Sequence, residues 1–137
     1  MGSSQQVTVK TVGWSETARD HLCAVQDWPD HESPDGYREG IEAGRIHALG
    51  VFADEIQIGT TFYKFDQGDQ GRELVILASA GRLSGVDLVR LVLPVLEQLA
   101  AEEGCLSVAF YTSRTGLIKK TAGLGYRIHQ TIMRKGI

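Results

Sequence analysis

A wholly apolar run, Leu74-Val75-Ile76-Leu77-Ala78, enters a glycine-bearing turn, Ala80-Gly81-Arg82-Leu83-Ser84-Gly85-Val86-Asp87. A long amphipathic segment follows, and then a second run in which Leu106, Val108 and Phe110 alternate with Ser107, Ala109 and Tyr111. This order reads as strand, loop, helix, strand. A helix-length connection returns the chain to the same end of a sheet, so the two strands are expected side by side, joined by one crossover. Backbone N–H groups at the helix start, made approachable by glycine and backed by the helix dipole, form an anion site without any particular side chain.

The segment from Asp87 to Gly104 places Leu88, Leu91, Val92, Val95 and Leu99 on one helical face, with Asp87 as N-cap and Gly104 as the C′ stop. Pro94 is discordant, because inside a helix it removes a hydrogen bond. Upstream, Val7-Thr8-Val9-Lys10-Thr11-Val12 alternates like a half-buried strand, and Ser15 or Thr17 can cap a helix running to Val25 and ended by Pro29. Residues 30–36 read as a polar loop, and Tyr37 to Ala43 as a short helix closed by Gly44. Ile46 to Ala53 and Gln57 to Phe65 form a hairpin about Asp54-Glu55, and residues 66–71 form a second hairpin loop before a strand that begins at Glu73. Thr115 to Leu124 reads as a helix stopped by Gly123 and Gly125, and Tyr126 to Met133 as a last strand. The expected class is α/β of the α+β kind, a mixed, mostly antiparallel sheet flanked by helices.

The chain of 137 residues is long enough for one cored domain, expected over 1–137. Its formal net charge of -3 gives no global attraction to nucleic acid or anionic membrane. No apolar run approaches the roughly 20 residues that cross a bilayer, and the N-terminus has no signal-peptide core, so a cytoplasmic location is expected. Cys23 and Cys105 lie far apart without a C-x-x-C partner, which reads as reduced thiols. His21, His47 and His129 have no ligand spacing among themselves or with either cysteine, so no metal is expected.

The order of these elements, with two local motifs, resembles the Gcn5-related N-acetyltransferases over almost the whole chain. The family's pyrophosphate signature, Arg or Gln, two residues, Gly, one residue, Gly or Ala, is similar to Arg82 and Gly85 but has Asp87 in its last place; its Gly-Phe or Gly-Tyr pair before a strand is similar to Gly125-Tyr126. The resemblance implies a splay between the fourth and fifth strands that takes an acyl-coenzyme A, most often acetyl-CoA, as co-substrate. It implies backbone contacts at Ile76, Leu77 and Ala78 to the pantetheine and the developing oxyanion, and a pyrophosphate loop of Arg82, Leu83, Ser84, Gly85, Val86 and Asp87. Asp87 either caps the helix facing away from the ligand or weakens binding by competing for the same N–H groups.

Acyl transfer to an amine needs a base for the nucleophile and an acid for the leaving thiolate. Glu73 resembles the family's glutamate base. The family's acid, a tyrosine five residues before the Gly-Tyr aromatic, is replaced here by Thr121, whose hydroxyl is far too weak an acid. Tyr111 and Ser113 are the nearest substitutes, and Arg114 stands where the family has an asparagine and could contact the cofactor. Trp28, His31, Glu32 and Tyr37 fall where the family's first two helices form the acceptor rim. The resemblance thus implies an N-acyltransferase acting on an amine of a small molecule or protein, with a homodimer as a further expectation. Two alternatives stay open. One is a non-catalytic CoA-binding or regulatory module, motivated by Asp87 and Thr121. The other is a nucleobase-modifying protein, because the Gly-Leu-Ile-Lys-Lys helix is similar to small phage-encoded members and Arg114, Lys119, Lys120, Arg127, Arg134 and Lys135 make the C-terminal third basic.

Overall fold

β-branched and apolar residues on a buried face make the strands, and short turns fix the order of most of them. The computed structural model describes residues 6–23, 34–68, 71–81, 88–111, 115–129, 133 and 135–137. In it β1 (Val7–Val12), β2 (His47–Ala53), β3 (Ile56–Gly68), β4 (Gly71–Gly81) and β5 (Ser107–Phe110) lie in that order in one sheet. The first four pair antiparallel, whereas β5 runs parallel to β4. The connections explain the difference: β2–β3 turns on Asp54-Glu55, while α3 (Leu88–Glu102) lies between β4 and β5 and carries the chain back. Asp54 takes φ +57°, a conformation its short polar side chain tolerates.

The second hairpin is tighter than the expected loop over 66–71. β3 runs through Gly68 and β4 starts at Gly71, with Asp66 opposite Glu73 and Gln67 opposite Arg72. Asp66 and Gln67 are exposed, so the backbone ladder continues past the core on polar residues that need no burial.

The two faces of the sheet bury separate clusters. On one, Leu49, Val51, Ala53, Ile58, Tyr63 and Leu74 pack with Val92, Leu96 and Ala100 of α3. On the other, Ala48 and Phe62 pack with Ala18 and Leu22 of α1 (Glu16–Cys23) and Tyr37 of α2 (Pro34–Glu42). Phe62 is fully buried at the centre, with the Tyr37 ring edge-on at 5.4 Å and Trp14 at 6.4 Å.

Local chemistry sets the helix ends. Ser15 Oγ accepts the Ala18 N–H at 3.1 Å and caps α1, as the sequence predicts. The expected end of that helix, Val25 to Pro29, lies outside the described residues. α2 begins at Pro34, three residues before the expected Tyr37, because proline lacks only an N–H that a first turn leaves unpaired, and Asp35 suits the positive end of the dipole. In α3 the deepest positions are Val92, Leu93, Leu96 and Ala100, so of the expected stripe Val92 is core while Leu91, Val95 and Leu99 form its half-buried flank. Pro94 stands on the exposed side of this helix, which runs through it. α4 (Thr115–Ala122) closes on Gly125 at φ +95°, with the Tyr126 N–H donating to the Thr121 carbonyl at 3.0 Å.

The last expected strand, Tyr126 to Met133, is corrected over its described part, and its residues 130–132 lie outside the described residues. Residues 126–129 and 133 form no strand, and Ile128 and Met133 are exposed. Tyr126 is half-buried against Phe110, but Arg127, Ile128 and His129 are all exposed, which is too little burial to hold a ladder against β5.

Candidate functional site

The site begins with one extra residue in β4. Phe62 lies opposite Ala78 and Tyr63 opposite Ile76, so Leu77 has no opposite number and forms a β-bulge. The packing follows. Leu74 and Ile76 join the cluster on the α3 face, whereas Leu77 and Ala78 both pack on the α1 and α2 face. One residue further round, the parallel pairing ends, because β5 stops at Phe110 opposite Ile76. Residues 78–81 stay paired with β3, and residues 77–81 have no strand on their other edge among the described residues. Backbone donors and acceptors along that edge are open to an extended polar ligand. The expected splay between the fourth and fifth strands is therefore present, and Ile76, Leu77 and Ala78 stand at its apex.

The α1 side of the same stretch carries a polar seam. Ala18 and Leu22 pack with Leu77 and Ala78, and His21, between them on the helix, sets Nδ1 2.9 Å from Thr60 Oγ1. Gln57 Nε2 donates to the same oxygen at 2.7 Å. Thr60 is 1% exposed and lies opposite Ala80 in the β3–β4 register. Burial lowers the His21 pKa below its ordinary value, with Asp20 pulling weakly the other way. Next along β3, the Thr61 and Ser79 hydroxyls meet at 2.8 Å and tie β3 to β4 beyond the bulge. The sequence reading weighed His21 only as a metal ligand. Its place three residues after Ala18 and one before Leu22, on the face that buries, was the signal available.

Glu73 lies at the closed end of the splay, paired in register with Ser107, whose hydroxyl donates to its carboxylate at 3.2 Å. Three residues separate it from Ile76, about 10 Å along a strand. Tyr111 follows the last residue of β5 and is 67% exposed, at the mouth of the splay. Thr121 is 3% exposed and donates to the Leu117 carbonyl at 2.8 Å, a core position in α4. Tyr126, of the Gly-Tyr pair, stacks at 5.7 Å from Phe110 and donates its hydroxyl to Glu97 of α3 at 2.8 Å. Burial and the neighbouring carboxylate push that phenol's pKa well above its usual value. Tyr37 is 4% exposed and belongs to the core. Ser113, Arg82, Leu83, Ser84, Gly85, Val86, Asp87, Arg114, Trp28, His31 and Glu32 lie outside the described residues. Among the described residues no group of His, Cys, Asp and Glu could hold a metal ion. A shallow pocket of about 240 Å³, lined by Arg90, Leu93, Pro94, Glu97 and Leu124, lies on α3 beside the Tyr126 contact.

The strand order, the parallel β4–β5 step and the flanking helices are those of the Gcn5-related N-acetyltransferase fold. A Trypanosoma brucei acetyltransferase is similar at 14% identity and a TM-score of 0.72, covering 96% of this chain and 100% of its own. A predicted acetyltransferase of Clostridium acetobutylicum, solved with acetyl-CoA, is similar at 12% identity and a TM-score of 0.70, covering 96% of each chain. The aminoglycoside N-acetyltransferase AAC(6')-Iy, in complex with a bisubstrate analogue of CoA and acetylneamine, is similar at 16% identity and a TM-score of 0.65, covering 96% of this chain and 99% of its own. No family model matches the sequence, and no curated protein does. At these identities the likeness establishes the fold.

Proposed function

We propose that the chain is a single acyltransferase domain that moves an acyl group, acetyl in the simplest case, from coenzyme A to a primary amine. The observation that carries this is the parting of β4 from β5 after Ile76 and Phe110, with the bulge at Leu77, because it opens one backbone edge over residues 77–81. Structural neighbours solved with CoA or acetyl-CoA support the same co-substrate. In this reading the amides at Leu77 and Ala78 face the thioester oxygen, where one donor is worth about 3 kcal/mol of barrier. Residues 82–87 and Arg114 take the pyrophosphate. Glu73 removes a proton from the amine, directly or through water, and Tyr111 or Ser113 returns one to the leaving thiolate. Trp28, His31 and Glu32 form the acceptor rim, with Tyr37 supporting them from the core.

Calorimetric titration with acetyl-CoA tests the class: binding in the sub-millimolar range is expected, and none there overturns it. Glu73→Gln should then lower kcat by about 10² to 10⁴, the usual worth of a general base, with acetyl-CoA affinity retained. A second reading, a CoA-binding module without turnover, is favoured by Thr121, which is buried and hydrogen-bonded to its own helix where the family places an acid. Acetyl-CoA binding without acylation of any primary amine would select that reading.

A further inference from the structure

The seam between α1 and the sheet fixes one proton, and that proton specifies a ligand chemistry. Thr60 is 1% exposed, so its hydroxyl hydrogen needs an acceptor inside the protein. Its two side-chain partners are Gln57 Nε2, which can only donate, and His21 Nδ1. The Thr60 O–H therefore goes to His21 Nδ1, and the neutral imidazole carries its own hydrogen on Nε2. The reverse tautomer would give Thr60 two incoming donors and strand its buried hydrogen. Protonation of the ring would do the same, so the seam and the partial burial of the ring both hold His21 neutral. Around it, Asp20 on its own helix is the charged neighbour, α2 contributes the phenol of Tyr37, neutral throughout the histidine range, and β3 and β4 contribute the non-titrating Gln57, Thr60, Ala78 and Ala80.

The Nε2 atom meets no partner among the described residues and is not sealed from solvent. It belongs to the helix that packs on Leu77 and Ala78, and Thr60 beneath it is one strand, about 4.8 Å, from Ala80 on the open edge of β4. A locked, uncharged N–H donor at that place suits an oxygen atom better than an ammonium. Among the exposed carboxylates of α1 and α2, Glu16, Asp35 and Glu42 lie around Arg38, which pairs with Glu42 at 3.0 Å, and those of Asp20 and Glu39 suit the ammonium.

We propose that His21 determines acceptor specificity, its Nε2–H donating a hydrogen bond to a hydroxyl oxygen carried near the reacting amine, so that the acceptors are hydroxylated primary amines. This rests on the acyltransferase reading above. His21→Asn separates ligand recognition from fold support, because an asparagine oxygen can stand where Nδ1 stands and accept the Thr60 hydroxyl, while nothing replaces Nε2–H.

The test uses acetyl-CoA with two probes, glucosamine and its hydroxyl-free counterpart cyclohexylamine. The wild-type chain should prefer glucosamine in kcat/KM. His21→Asn should lower that preference about tenfold, chiefly through the glucosamine KM, while its thermal midpoint stays near the wild-type value. Nitrogen-15 NMR of the imidazole should show Nε2 protonated and Nδ1 accepting, and Thr60→Val should release that tautomer and lower the same preference. A Nδ1-protonated ring, a wild-type chain without the preference, or an unchanged preference in His21→Asn overturns the proposal. A chain that fails to bind acetyl-CoA overturns the acyltransferase reading and this one with it. Binding and turnover with the preference intact in His21→Asn overturn the His21 role alone.

Discussion

Ser15 does with one hydroxyl what the first turn of α1 cannot do for itself, accepting the Ala18 N–H at 3.1 Å. Ser15→Ala should cost about 1 kcal/mol, read as a lower urea midpoint at unchanged slope. His21 sets a pH dependence whose sign follows from its lowered pKa. Above the ordinary histidine value of about 6.5 the ring is neutral folded and unfolded and contributes nothing. As the pH falls below that value the unfolded chain takes the proton first, so stability declines until the folded ring also titrates. Urea midpoints at pH 7.5 and 5.5 should differ less in His21→Asn than in the wild type. Gly81, with φ +156°, lies opposite Gly59, and a Cβ there would land on the Gly59 Cα and the Ile58 carbonyl oxygen, backbone atoms that cannot swing aside. Gly81→Ala should therefore destabilise by about 3 kcal/mol, the upper end of overpacking, and denaturant melts will read it. At this scale the sequence is legible where a residue acts on its own neighbours, as Ser15 and Gly104 do. His21 is illegible because its partner Thr60 is 39 positions away.

Among the elements, those defined by their own periodicity were readable and those defined by a partner were not. β1, the first hairpin and the β4–α3–β5 unit form where the pattern of apolar residues predicts them, because burial of one face suffices to hold each. The described part of the last expected strand fails for the opposite reason: a strand needs a pairing neighbour, and residues 126–129 enter no ladder although Tyr126 packs on Phe110. Composition also hid how far β3 extends, since its exposed polar end is held by backbone pairing alone. The bulge at Leu77 left no mark in a run of five apolar residues, although it decides which side chains face α1. Phe62 joins all the elements of that face, being fully buried against α1, α2 and β2. Phe62→Ala should cost about 3–5 kcal/mol, with the near-ultraviolet signal of Trp14 and Tyr37 lost before the far-ultraviolet signal.

Across the whole molecule the fold is held by two cores on opposite faces of one sheet, and the candidate site lies where β4 passes from one to the other. Its proposed acceptor side falls on α1 and its open edge on β4, which are 54 positions apart where Leu22 and Ile76 stand, so no short motif could display it. A ligand that joins these parts links binding to folding: acetyl-CoA at a hundred times its dissociation constant should add about 2.7 kcal/mol of stability, visible as a rise in the melting temperature. The four-residue length of the β4–β5 pairing reaches further than the site. From Glu73 to Ile76 both edges of β4 are occupied, and beyond it successive amides point alternately toward β3 and toward open space. In deuterium oxide the strand should thus behave as two materials. Its first half should exchange slowly throughout, and its second half at every other amide quickly, until a bound molecule silences the fast set and writes its own length onto the protein as a row of protected sites.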